Sequence, residues 1–448
     1  MMVKNILIAG AGRSSISLIK YLVKLSKNEN YSIRIGDRTL DGVLNEYDSH
    51  PNVNSFVFDV LDDLQRVEEI SKSTIVISML PAHLHIVVAK DCVRLKKHMV
   101  TASYVSESIS ELDSEAKENG VLLLNEIGLD PGIDHMSAMK IINELRAKGA
   151  NLKSFKSYCG GLIAPDSDNN PWGYKITWNP RNVVLAGQGT AKYIEGGELK
   201  TISYEQLFRE TCFLDVLNYG SFEAYANRDS LIYKDIYQLK DISTLYRGTL
   251  RRPGFSEAWN LFVQLGLTDD SYCLDVSNMT YLSFFKFFLK SSQADSKSYL
   301  KSHFGVSNEV LEKLEWLGVY EDVEIGLTKA TPAEVLQQLL ERKWALEESD
   351  KDMIVMQHQF IYECDGKEQE LHSSLVVLGE NQAETAMAKT VGLPIGIAVK
   401  LILNGDIKDV GVRIPVYPEI YLPVLSELEN FGVKFIEEST TKSPSKSP

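Results

Sequence analysis

Gly10, Gly12 and Ser15 stand at the spacing of a phosphate-cradling turn, directly after the apolar run KNILIA. The two glycines permit a tight turn and close approach of backbone to a pyrophosphate. The helix that follows, opening with Arg13 and Ser14, offers unpaired N–H groups and the positive end of its dipole. Ser15 replaces the third glycine of this pattern, where the demand is close packing of helix on strand. Asp37 closes the second apolar run. From that position a carboxylate holds the ribose hydroxyls of NAD and repels the extra phosphate of NADP. Arg38, next along, suits stacking on adenine or meeting that phosphate, and the pair leans to NAD. Asp59, after the third run, reads equally as a group near adenine or as a solvated strand-end acid. Leu80 and Pro81, after the fourth, are expected to border the nicotinamide. The alternative for the whole pattern is an ordinary glycine turn, but strand, helix and acid fall in the right order against it.

A second set follows later strands. Tyr104, in Ser103-Tyr104, comes after the fifth apolar run, at the sheet edge where ligands bind in such folds. LDPGIDH follows the sixth and opens a helix, with Pro131 suited to its first turn. Asp130 reads as a catalytic carboxylate or as a plain N-cap, and Asp134 more readily as the latter. His83 and His85 do not share a helix face and have no evident third ligand, so a helix-start, surface role is expected rather than metal binding.

The elements that must position these groups alternate at short spacing. Strands are expected at 4–9, 31–36, 53–58, 74–79, 98–102 and 121–125, with helices at 14–25, 62–71, 83–97 and 110–119. That order predicts a Rossmann-like, doubly wound parallel α/β sheet. A helix at 133–148, a mixed sheet over 150–250 and a mostly helical stretch over 256–350 follow. Strands return at 352–362 and 368–378 about a turn at Asp365-Gly366. Helices at 381–391 and 396–404 flank a Gly-Leu-Pro-Ile break. The phrase at 157–179 (SYCGGLIAPDSDNNPWGYKITWN) is too rich in Gly, Asn and Trp for plain scaffold. With a second phrase at 222–252, it is expected to set the substrate.

A chain of 448 residues forms two or three domains. Its net charge of −14 argues against general binding to nucleic acid or an anionic membrane. No apolar run is expected to reach the roughly 18 residues of a spanning helix. Five cysteines without CxxC spacing read as reduced thiols in a cytoplasmic protein with no metal site. The last residues, 440–448, read as a disordered tail.

TASYVS, NEIGLDPGIDH, YCGGLIAPDSDNNPWGYKITWNPRNVVL, FEAYANRDSLIYKDIY and YRGTLRRPGF resemble the saccharopine dehydrogenase family, nearest its glutamate-forming branch. The likeness runs to about residue 400. GAGRSS and Asp37 depart from the NADPH-using fungal pattern. Ala224, Ala226 and Arg252 replace an expected Gly, Pro and aromatic. The resemblance implies a nucleotide domain over 1–130, completed by about 390–440. It also implies an α/β substrate and dimerisation domain over 131–255 and 351–390, a helical insert over 256–350, and a homodimer. The implied reaction joins L-glutamate and 2-aminoadipate 6-semialdehyde through an imine to saccharopine, with hydride exchanged with NAD or NADP.

Saccharopine carries three carboxylates and two amines, and carboxylates favour bidentate arginine. Four arginines fall at 228, 247, 251 and 252. Arg228, beside Asn227, and Arg247 are the expected clamps, and at least one of Arg251 and Arg252 is expected on the surface. Lys175 and Trp178 are expected to line the pocket, with core packing the alternative for Trp178. The resemblance places Cys159 beside the reacting centre, with a buried structural thiol as the alternative. No single general acid–base is forced. Two other readings stay open: a carboxynorspermidine dehydrogenase-like enzyme, which would need acids in place of the second arginine, and a non-catalytic dinucleotide sensor.

Overall fold

The computed structural model describes residues 3–40, 47, 50–289 and 296–441. The chain divides into two compact units, one of Met1–Gly149 with Ala383–Lys434, the other of Ala150–Gln382 with the chain from Phe435 on.

In the first unit, β1 (Lys4–Ala9), β2 (Tyr31–Asp37), β3 (Val53–Val57), β4 (Ile75–Ser78), β5 (His98–Val100) and β6 (Leu122–Leu124) form a parallel sheet. With a seventh strand, Gly411–Arg413, the spatial order is Gly411–Arg413, β6, β5, β4, β1, β2, β3, and every neighbouring pair is parallel. The order reverses at β1, so ligands are expected at the carboxyl ends of β1 and β4. Strands read as unbroken apolar runs because both faces are covered: Leu7, Val76, Met99 and Leu123 meet Val88, Ala89 and Cys92 on one side.

The other side corrects two expectations. Residues 386–404 are one helix, Ala386–Asn404, with Pro394 inside it, not two helices about a break. Its glycines are contact points rather than breakers. A Cβ at Gly392 would lie 2.8 Å from the Leu18 backbone nitrogen, and one at Gly396 2.6 Å from the Tyr21 ring. The helix therefore seats directly on helix Ile16–Glu29, and this packing outweighs the lost proline hydrogen bond. It is also apolar and long enough to cross a membrane by length and composition, contrary to the expectation above, but 78% of it is buried inside the protein. It serves here as a core helix.

Helix Ile133–Ala147 belongs to this unit too, so the unit reaches Gly149 rather than stopping at 130. Its apolar residues are buried nearly all round, and Asn143 Nδ2 donates to the Tyr421 hydroxyl at 2.9 Å on helix Pro418–Glu429.

The second unit holds a mixed sheet in the order Thr211–Asp215, Ser221–Ala226, Thr244–Arg251, Asn151–Ile163, Asp352–Cys364, Lys367–Leu378, Ile436–Thr441. The last strand pairs antiparallel with Lys367–Leu378. Residues 436–441 thus close this sheet rather than completing the nucleotide unit. Of the expected tail, 440 and 441 are strand, and 442–448 lie outside the described residues. Helices Phe255–Leu265, Asn308–Leu317 and Pro332–Lys343 share one apolar core with the sheet, joining Leu162, Phe222 and Leu250 to Trp259, Leu314 and Leu340.

Candidate active-site residues

Gly10 follows β1 at φ +97°, and a Cβ there would meet the Met79 carbonyl oxygen at 2.9 Å. Only glycine lets the turn lie against the segment carrying Leu80 and Pro81. Gly12 differs: its φ of −68° suits any residue, and a Cβ would meet no atom within 4 Å. Its lack of a side chain leaves open space in front of the first helical turn, where Arg13 and Ser14 present their N–H groups. Ser15 is buried and its hydroxyl donates to the Gly12 carbonyl at 2.7 Å. The substitution therefore leaves no unsatisfied polar group. These residues fit a dinucleotide pyrophosphate.

Asp37 Oδ2 accepts the Ala11 N–H at 2.6 Å. One oxygen of this carboxylate braces the glycine turn, and Arg38 beside it is exposed. Asp59 is exposed and accepts the Leu61 N–H at 3.0 Å, a local turn that matches the strand-end reading.

Tyr104 and Asp130, drawn from the ends of β5 and β6, meet: the Tyr104 hydroxyl donates to Asp130 Oδ1 at 3.2 Å. Asp130 is not the N-cap. Gly132 holds that position, its N–H bonded to Asp134 Oδ1 at 2.6 Å. Pro131 lies outside the helix, whose first residue is Ile133. His85 overturns its surface reading. It is 2% exposed, with Nδ1 2.8 Å from Ser78 Oγ and Nε2 2.7 Å from Ser103 Oγ. Burial, with a smaller contribution from His83, pushes its pKa down to about 4. His83 itself is exposed. Sequence reasoning missed Glu126 and His135, a buried pair with Oε2–Nε2 at 2.8 Å. The signal was available: one acid stands inside the apolar run LLLNEIGL, and a buried acid needs a partner.

In the second unit, strand register decides what faces what. Cys159 pairs with Thr249 and Ser157 with Arg247 across parallel strands. Side chains two apart share a face, so Cys159 and Arg247 stand on one face about 7 Å apart along the strand. Asn227 joins the row, its N–H donating to the Arg247 carbonyl at 2.8 Å. Arg247 is 4% exposed, and its guanidinium lies 4.4 Å from the Tyr233 ring centre. Arg228 is exposed, held at φ +53°. Lys175 stands apart: buried, its Nζ bonds Asp350 Oδ2 at 2.5 Å, so the ammonium is committed within the core. Trp172 is buried and Trp178 half-buried, its indole N–H donating to the Tyr174 hydroxyl at 3.3 Å. Neither Arg251 nor Arg252 is plain surface charge. Arg251 is buried among Tyr174, Tyr225 and Phe255, and Arg252 lies over Phe222. Among the described residues no group of three potential metal ligands stands together.

A doubly wound parallel sheet carrying this turn, in a chain that also holds a mixed-sheet unit with a buried Arg247, fits a dinucleotide-dependent oxidoreductase. Residues 6–124 match the saccharopine dehydrogenase NADP binding domain and 128–433 the saccharopine dehydrogenase C-terminal domain. The chain belongs to the saccharopine dehydrogenase family. It is 34% identical over 449 residues to the Saccharomyces cerevisiae saccharopine dehydrogenase [NADP(+), L-glutamate-forming], covering 98% of this chain and 99% of that one. It is 36% identical over 414 residues to the Arabidopsis thaliana alpha-aminoadipic semialdehyde synthase, covering 87% of this chain and 39% of that one. The apo Saccharomyces cerevisiae enzyme (L-Glu forming) superposes with a TM-score of 0.87 at 33% identity, covering 98% and 100% of the two chains. A Legionella pneumophila homospermidine synthase, TM-score 0.54 at 10% identity over 99% and 93%, shares the fold alone. The matched NADP binding domain and the NADP(+) enzyme of Saccharomyces cerevisiae support NADP and give the lean to NAD no support. Asp37 gives one acceptor site to the turn through the Ala11 N–H, and its other oxygen carries no bond to that turn.

Proposed function

We propose that this protein is an NADP-dependent saccharopine dehydrogenase of the L-glutamate-forming kind. The observation that carries this reading is the full-length likeness to the Saccharomyces cerevisiae enzyme in both sequence and structure. NADP, when bound, would supply the hydride acceptor: loss of hydride from the ε-carbon on the lysine-derived side of the secondary amine, with the amine proton released, would leave an imine that water splits into L-glutamate and 2-aminoadipate 6-semialdehyde. In the reverse direction glutamate condenses with the semialdehyde and the imine is reduced.

The side chains divide this work by chemistry. Arg247 and Arg228 supply the guanidinium forks that substrate carboxylates favour, and Asn227 adds an amide. Tyr104 and Asp130 form a donor–acceptor pair suited to orienting an amine and moving a proton between nitrogen and water. Cys159, on the Arg247 face, offers a small apolar contact. Arg38 is the group for the 2′-phosphate.

The test is absorbance at the reduced-nicotinamide band, with purified protein, L-saccharopine and either NADP or NAD. Reduction that requires saccharopine and runs faster with NADP supports the assignment. Nucleotide binding with no turnover on saccharopine would overturn it in favour of a sensor.

A further inference from the structure

We propose that Glu126 is a positioning residue for Tyr104, acting as a strut that fixes the segment 103–105 from behind. The proposal rests on the reading of Tyr104 as a group that touches substrate.

Glu126 sits just beyond β6 at φ +57°, a region where residues with side chains are uncommon. Glycine would adopt that backbone without strain. The residue is also 6% exposed, so a carboxylate is held both buried and on an unfavourable backbone. What it gains is visible in its bonds. Oε1 accepts the Val105 N–H at 3.0 Å. Oε2 meets Nε2 of His135 at 2.8 Å, and His135 is wholly buried in the first turn of helix Ile133–Ala147. The Glu126 N–H donates to the Ser103 carbonyl at 3.1 Å. From the opposite flank His85 Nε2 reaches Ser103 Oγ at 2.7 Å. Both chain neighbours of Tyr104 are thus tied to buried groups, and the phenol projects from a fixed backbone to Asp130. Glu126 bonds the chain on either side of Tyr104, at Ser103 and Val105. Its effect passes through the Val105 amide.

Steady-state kinetics on the full chain with saccharopine and NADP tests this. Glu126→Gly fits the backbone but removes the strut; Glu126→Asp keeps the charge but shortens the reach. Both are expected to lower kcat about tenfold while the KM for NADP stays within about twofold. Glu126→Gln, which keeps an oxygen for Val105, should retain kcat within about threefold. In the double variant Glu126→Gly with Tyr104→Phe, kcat should fall no more than about twofold below the slower single variant, because the two act as one unit. Losses that multiply in the double variant, wild-type kcat in Glu126→Asp, or Tm, kcat and nucleotide KM collapsing together would each overturn the strut. Wild-type kcat in Tyr104→Phe would remove the role of Tyr104 itself, and the strut with it.

Discussion

The hydroxyl of Tyr104 donates to Oδ1 of Asp130 at 3.2 Å, joining the segments that follow β5 and β6. Both strands are only three residues long, and each hands its chain at once to an irregular segment. The pair is therefore built on the irregular segments that leave the sheet's carboxyl edge, at 101–105 and 125–130. Tyr104→Phe removes the donor and keeps the ring; Asp130→Ala removes the acceptor. Each is expected to lower kcat about three- to tenfold, because the substrate amine and water also exchange the protons concerned. A fall beyond about a hundredfold in Tyr104→Phe would instead make the phenol the general acid–base.

The proposed roles of the neighbouring pair Asp37 and Arg38 predict how nucleotide choice responds to substitution. Since Asp37 braces the Ala11 amide, Asp37→Ala should weaken both nucleotides together rather than exchange one for the other. Arg38→Ala should raise the KM for NADP about tenfold and leave that for NAD nearly unchanged, the loss of one charge-assisted phosphate contact. Parallel KM measurements for the two nucleotides decide the point. An Asp37→Ala variant that lost NAD and gained NADP would restore the ribose role to that carboxylate.

Arg247 is placed by its strand rather than by a loop, so its guanidinium has few places to go. It lies on the face shared with Cys159 and is stacked over Tyr233. Arg247→Ala should mainly raise the KM for saccharopine, by about 10- to 100-fold, with kcat within about threefold. Some loss of Tm is expected as well, since the ring of Tyr233 loses its partner. An unchanged KM with a large fall in kcat would show that the guanidinium acts on the transition state and not as a clamp.

Much of the first unit was legible because its signals are local. Apolar runs bounded by Gly10, Asp37 and Pro81 mark buried parallel strands, and six of the seven strands fall where those runs predict. The seventh, Gly411–Arg413, is three residues supplied from nearly 290 residues downstream of β6, and no local pattern marks such a partner. Helix Ala386–Asn404 misled for a related reason. Gly392, Pro394 and Gly396 read as a break, yet the glycines are small because another helix lies against them. At the site, residue type was readable and commitment was not. The bond from Lys175 to Asp350 and the bond from the Ala11 N–H to Asp37 have no local signal in the sequence. His85 was read as a surface residue and Glu126 went unread because burial, not spacing, is what makes them informative.

His85 makes stability depend on pH in a calculable direction. Burial holds its pKa at about 4, below the ordinary 6.5, so the folded protein resists the proton that the unfolded chain takes up. The stabilisation is fully present above pH 6.5, and is lost progressively as pH falls from there to about 4. Integrated over that window the loss is on the order of 3 kcal/mol, from 1.36 kcal/mol per pKa unit. Many carboxylates titrate nearby in pH, so the comparison must be between proteins. His85→Gln lowers stability at pH 7.5 by breaking the bonds to Ser78 and Ser103, but it removes this titration. Urea denaturation midpoints at pH 7.5, 6.0, 5.0 and 4.5 should therefore fall more steeply for wild type than for His85→Gln. The two curves should converge toward the acid end. Parallel curves would mean that His85 is protonated in the folded protein at pH 6, with Ser78 and Ser103 both accepting from its ring.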